Sequence, residues 1–224
     1  MLYRVLRLVL LVVFRVLYRP TITGRSHIPT TGPVILASNH QSFVDSVVIP
    51  LAAPRHISFL AKSDYFTGTG VKGALLRWFF TTVGQVPVQR NDNRASQASL
   101  DVALGVLEQG AAFGIYPEGT RSRDGRLYRG HTGVGWLALT ASCPVVPVAV
   151  QGTERVLPIG GRLRLAKVRI AFGEPIDPAA YGGFRPAQAR RAMADDIMSA
   201  IAAMSGKEVA GVYHPLPEPQ QGGA

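Results

Sequence analysis

A histidine and an aspartate stand five residues apart in the stretch Asn39-His40-Gln41-Ser42-Phe43-Val44-Asp45. Histidine is the side chain whose ordinary pKa lies near neutrality, so it can take and return a proton at physiological pH. A nearby carboxylate can fix its tautomer and stabilise the imidazolium. Along a continuous helix five residues turn through about 140°, so the two side chains would not share a face. The pair is competent only if His40 lies in a loop or first turn and Asp45 reaches back from the helix. The plainer alternative is a loop histidine followed by an aspartate that the helix dipole favours.

A second chemical stretch is Tyr116-Pro117-Glu118-Gly119-Thr120-Arg121-Ser122. Proline, an acid, glycine, hydroxyl residues and an arginine make a poor core and a good anion site. Gly119 permits close backbone approach. Arg121 can hold a phosphate in a bidentate fork, and Thr120 and Ser122 offer hydroxyls and nearby amides. Glu118 can orient the arginine or a substrate hydroxyl. Lys62 and Arg90 close two further apolar runs. His131 is a weaker candidate acid or base. Cys143 sits in an apolar context with no motif to activate it, and no Cys/His cluster has metal-ligand spacing.

These residues need a scaffold that brings them together. Pro33 to Ala37, His56 to Lys62, Gly84 to Arg90, Ala111 to Tyr116 and Cys143 to Val150 read as strands. The prolines of the last point to an edge or a bend. Leu163 to Phe172 alternates apolar and basic residues and reads as a further strand with one wet face. Helices are expected at Ser46–Leu51, Ala74–Phe80, Asp92–Gln109, Gly133–Thr140 and Pro186–Met204. Strands alternating with helices predict an α/β domain with a mixed, mostly parallel sheet flanked by helices. Lys62, Arg90 and Arg121 would then emerge with His40 at the carboxyl ends of the strands, where such folds place their chemistry.

The first 19 residues form a separate element. Their longest uncharged apolar run, Leu8 to Phe14, is far short of the roughly 20 residues of a spanning helix. On a helix, Arg4, Arg7, Arg15 and Arg19 fall within roughly 120°, and aliphatic residues cover most of the rest. This pattern suits an amphipathic helix lying on a membrane surface. A helix docked on the domain with its arginines in water is the alternative. From Tyr213 on, prolines, glutamines and glycines suggest a flexible tail. The expected organisation is therefore a membrane-association helix over 1–19, one domain over 20–206 and a tail over 207–224.

Lys and Arg number 24 against 14 Asp and Glu, a formal net charge of +10. Such a balance implies an anionic partner: nucleic acid, an anionic membrane, or a phosphorylated or coenzyme A-type substrate. Nucleic acid is disfavoured, because the aromatic residues cluster in apolar runs rather than alternating with basic ones as stacking platforms.

Four stretches together resemble the glycerolipid acyltransferase family, in order and rough spacing: Asn39-His40 with Asp45, Gly84 to Arg90, Tyr116 to Ser122, and Val146-Pro147-Val148. The resemblance covers roughly residues 20 to 175. Tyr116 stands where the family usually has Phe, and Pro87 where an apolar residue is frequent; neither change removes a reacting group. The resemblance implies a PlsC-like enzyme that moves an acyl group from acyl-CoA or acyl-carrier protein to the sn-2 hydroxyl of lysophosphatidic acid, giving phosphatidic acid. His40 would be the general base and Asp45 its orienting partner. Lys62, Arg90, Gly119 and Arg121 would bind the acceptor's phosphate, and Asn39, Glu118 and Thr120 would shape the acceptor site. No metal and no cofactor beyond the acyl donor is implied, and the expected location is the cytoplasmic face of the cell membrane. A related acceptor such as a lyso-ornithine lipid is the alternative within the family.

Overall fold

The computed structural model of the chain describes residues 2–71, 73, 74, 77, 78, 85–88 and 93–215, with side chains from Leu8 onward except at 61, 62, 64, 65, 87, 88 and 93–96. Among these the strands are β1 (Thr21–Thr23), β2 (Val34–Ser38), β3 (Ile57–Lys62), β4 (Val86–Val88), β5 (Ala112–Ile115), β6 (Val145–Gln151) and β7 (Arg169–Phe172). They form one sheet in the order β1-β7-β6-β2-β5-β3-β4. Strands β6, β2, β5, β3 and β4 are parallel, while β7 pairs antiparallel with β6 and carries β1 beside it. The sheet is thus mixed and mostly parallel.

Continuous apolar runs form the inner strands because both of their faces are covered. In β2, Val34 and Leu36 enter one core while Ile35 and Ala37 enter the other. The first core receives α2 (Asp45–Ala52) and the N-terminal helix α1 (Leu2–Val13), which continues as a π-helical turn over Phe14–Tyr18. The second receives α4 (Asn93–Glu108), α5 (Gly133–Ala141) and α7 (Pro186–Ser205), while the single turn α6 (Thr153–Val156), between α5 and α7 in the chain, places Val156 in the first core. A further single turn, α3 (Asp64–Thr67), follows β3.

The N-terminal helix docks on the domain and also leaves apolar side chains uncovered. Leu10, Leu11, Phe14 and Tyr18 pack on the core, whereas Leu8, Val9, Val12, Val13, Val16 and Leu17 form a second apolar row in solvent, Val16 being 64% exposed. No helix among the described residues is long and apolar enough to cross a membrane.

Three expectations need correction. First, β6 is an inner strand despite its prolines. The Pro147 carbonyl accepts from Gly173 N–H, so the missing proline N–H also faces β7, whose ladder begins only at Val148. Second, the strand expected over 163–172 shrinks to Arg169–Phe172, because the Arg164 N–H bonds to the Val156 carbonyl and Leu163 and Leu165 lie exposed. Third, residues 207–214 are not loose. Leu127 N–H donates to the Glu208 carbonyl, Ala210 N–H to Leu127 and Arg129 N–H to Val212, and Tyr213 and His214 lie against His131 and Tyr128. Of the expected helix over 74–80, only Ala74, Arg77 and Trp78 lie among the described residues, all three helical.

Candidate active site

The five parallel strands end at one edge of the sheet, and β2 is the middle strand of all seven. Ser38 ends β2 and Asp45 begins α2, so His40 occupies the intervening loop at the centre of that edge. Asp45 reaches back from the first turn, and its Oδ2 accepts from His40 Nδ1 at 2.9 Å. The same oxygen accepts the backbone N–H of Gln41 at 2.7 Å and of Ser42 at 2.9 Å. Asp45 is fully buried, and three convergent donors hold its charge there. A carboxylate can only accept, so His40 carries its proton on Nδ1 and turns a bare Nε2 outward. Among the described residues Nε2 has no protein partner.

Two more contacts fix the imidazole. The Tyr116 ring stacks on it at a centroid distance of 3.8 Å and an interplanar angle of 11°, and the Tyr116 hydroxyl hydrogen-bonds Ser46 at 2.8 Å. His40 also bonds through its main chain to the second chemical stretch. Its N–H donates to Glu118 Oε1 at 3.2 Å, and its carbonyl accepts from Ser122 N–H at 2.8 Å. Sequence reasoning missed Tyr116 as a histidine partner; its aromatic ring beside Pro117 was the available signal, but a stack between residues 40 and 116 has no spacing to reveal it.

Glu118 and Asn39 have roles other than those expected. Glu118 is only 1% exposed, and its other oxygen accepts from Tyr128 N–H at 2.9 Å. It therefore braces the backbone of His40 instead of facing an acceptor. Burial pushes its pKa up to about 6, against the opposing effect of the two backbone donors. Asn39 is fully buried and forms a two-way tie to the end of β6: Nδ2 donates to the Val150 carbonyl at 2.9 Å and Oδ1 accepts from Val150 N–H at 2.8 Å. It locks the β2 and β6 ends in register, and its removal would orphan a buried main-chain donor and acceptor at about 1–3 kcal/mol each.

The anion-binding candidates are partly assembled. Gly119, Thr120 and Arg121 are exposed at the end of β5, beside His40. Gly119 has φ +76°, and a Cβ there would lie 3.3 Å from the His131 ring, so only glycine fits this turn. Arg121 has no ion-pair partner among the described residues. The following loop is stiffened by Asp124, which accepts from Arg126 and Tyr128; these donors hold its carboxyl well below the usual range. Lys62 is the last residue of β3, on the same edge, and pairs in register with Val88 of β4. Arg90 lies outside the described residues. His131 stacks on Tyr213, and burial lowers its pKa. Cys143 is fully buried and its thiol is pushed up to about 11, which keeps it protonated and inert.

A base with a free Nε2, an orienting carboxylate and an unpaired arginine on one strand edge can deprotonate an alcohol held by an anionic group. Comparison with known proteins bears on this arrangement. The family model described as Acyltransferase matches residues 19–151. A chloroplastic 1-acyl-sn-glycerol-3-phosphate acyltransferase of Brassica napus is 32% identical over 162 residues, covering 71% of this chain and 45% of its own length. A Bacillus subtilis protein of the same name is 25% identical over 188 residues, 82% of this chain and 87% of its own. The crystal structure of PlsC from Thermotoga maritima, a 1-acyl-sn-glycerophosphate acyltransferase, superposes with a TM-score of 0.66 at 25% identity, covering 88% of this chain and 80% of that one. The chain thus spans under half the length of the plant relative and most of the bacterial ones.

Proposed function

The chain belongs to the acyltransferase family, and on that premise we propose that it transfers a fatty acyl group from an acyl thioester of coenzyme A or carrier protein to the sn-2 hydroxyl of 1-acyl-sn-glycerol 3-phosphate, forming phosphatidate. The observation that carries this reading is the His40 Nδ1–Asp45 bond of 2.9 Å, with Nε2 bare at the middle of the strand edge. Nε2 takes the proton of the acceptor hydroxyl as its oxygen attacks the thioester carbonyl. The carbon–oxygen bond forms, the carbon–sulfur bond breaks, and the imidazolium returns the proton to the departing thiolate. Asp45 stabilises the transient imidazolium. Tyr116 prevents the ring from tipping, and Glu118 and Ser122 hold the loop that carries it.

The acceptor's phosphate is bound by Arg121 and the Gly119 turn, with Lys62 and Arg90 joining them. Family relatives named for 1-acyl-sn-glycerol 3-phosphate support this acceptor. The exposed aliphatic row on α1 supports a peripheral position on the cytoplasmic membrane face, where the lyso-lipid resides. The test is product identification by mass spectrometry after incubating the protein with a pool of lyso-lipid acceptors and both donor types. Phosphatidate is the expected principal product; acylation of another acceptor with lysophosphatidate left untouched would overturn the assignment.

A further inference from the structure

A second concentration of positive charge lies on the other side of His40. Arg155, Arg164, Lys167 and Arg169, with Glu154 among them and Gln151 and Pro158 at the margin, line a cleft of about 680 Å³. It contains four cations and one carboxylate. That carboxylate is already engaged, accepting from Gly152 N–H at 2.9 Å and facing Arg155 Nε at 3.7 Å. Arg164, Lys167 and Arg169 are exposed and have no ion-pair partner among the described residues. Unneutralised cations converging on a concavity make a site for a polyanion.

The walls are built rather than incidental. Gly152 has φ +89°, and a Cβ there would lie 2.1 Å from the Lys167 carbonyl, so glycine alone lets the 164–169 segment approach. The Arg164 N–H is held by the Val156 carbonyl at 2.7 Å, and the Gln151 side chain by the Ser205 carbonyl. The cleft also abuts the catalytic loop. Gln151 directly follows Val150, which is tied to Asn39, and Pro158 follows Leu157, whose carbonyl accepts from Ser42 Oγ at 2.7 Å.

Strand order gives the cleft its meaning. It lies at the β6–β7 side of β2, whereas Gly119, Arg121 and Lys62 lie at the β5–β3 side. Acyl transfer joins two substrates that both bear phosphate, and one base must stand between them. We propose that this cleft binds the nucleotide phosphates of coenzyme A, so that the acyl donor approaches His40 from the β6 side and the acceptor from the β5 side. This rests on the acyl-transfer reading above. The pantetheine arm separates those phosphates from the thioester, which requires a phosphate site set back from His40 on the same edge. The concavity and volume suit a small-molecule ligand; an acidic carrier protein would instead need a contact patch of about 800 Å².

The test is calorimetric titration of the full chain and of the double variant Arg164→Ala/Lys167→Ala with coenzyme A, with pantetheine and with vesicles containing phosphatidylglycerol. Both side chains are exposed on an irregular segment, so the fold should be retained. Coenzyme A should bind the double variant at least about tenfold more weakly, the scale expected for loss of charge-assisted phosphate bonds, while pantetheine binding and vesicle binding are unchanged. Equal coenzyme A affinity in the two proteins, no coenzyme A binding by the unaltered chain, or a loss confined to vesicles would overturn the proposal. Since no turnover is measured, cation-dependent coenzyme A binding by a protein that makes no phosphatidate would overturn only the acceptor assignment.

Discussion

Replacing Asp45 by asparagine separates the electrical role of this residue from its structural one. Oδ2 accepts three hydrogen bonds, from His40 Nδ1, Gln41 N–H and Ser42 N–H, and the amide oxygen of asparagine can accept the same three. Oδ1 has no partner among the described residues, so the amide nitrogen displaces no existing bond. The loop should therefore keep its shape, and the loss of a buried charge offsets the poorer acceptor and the amide nitrogen left buried without an acceptor, the latter a cost of about 1–3 kcal/mol. The imidazolium, however, loses its counter-charge. With charge centres about 4 Å apart and an effective dielectric constant of about 20, the lost attraction is about 4 kcal/mol. If most of it is felt in the transition state, kcat falls by about 10³. The assay is acyl transfer at saturating donor and acceptor, with thermal unfolding measured alongside. The expected result is that kcat drop with an unchanged acceptor KM and a Tm within about 4 °C of the original. A kcat within tenfold, or a loss matched by collapse of Tm, would refute the assignment of Asp45 as the stabiliser of the imidazolium.

Three further outcomes can be checked. Arg121→Ala should raise the KM for lysophosphatidate by about tenfold or more while changing kcat little, as expected for an exposed arginine that binds phosphate; an unchanged KM would remove it from the acceptor site. Burial raises Glu118 from 4.5 to about 6, so its ionised form disfavours the folded state. The Glu118 contribution is then most favourable below pH 4.5 and falls by about 2 kcal/mol as pH rises through about 6, and Glu118→Gln should remove that part of the pH dependence in denaturant titrations. Val12→Asp/Val16→Asp places two charges in the exposed row of α1. Binding to anionic vesicles should weaken by at least about tenfold with the domain still folded; unchanged partitioning would mean that this row does not meet lipid.

The sequence revealed those parts of the molecule whose physics is local. Fully buried parallel strands require unbroken apolar runs, so β2 and β5 were visible as such. The strand-end positions of His40, Lys62 and Arg121 followed from those runs. Contacts across long separations were not visible. The Asn39–Val150 tie spans 111 residues, and neither partner carries a motif that marks it. The His40–Tyr116 stack is of the same kind. The basic cleft was hidden because the alternation of Leu163 to Phe172 resembles a strand, whereas most of it is an irregular wall that carries cations. The 207–214 segment was misjudged for a related reason. Its order comes from pairing with Leu127 and Arg129, which no composition records.

The account depends most on His40 as the base. The direct measurement is the initial rate of phosphatidate formation from lysophosphatidate and acyl-CoA by the unaltered chain and by His40→Ala, with circular dichroism to confirm that both are folded. The prediction is a measurable rate for the former and a fall of about 10²–10⁴-fold for the latter. No phosphatidate from the unaltered protein, or a His40→Ala rate within about tenfold of it, would contradict the mechanism.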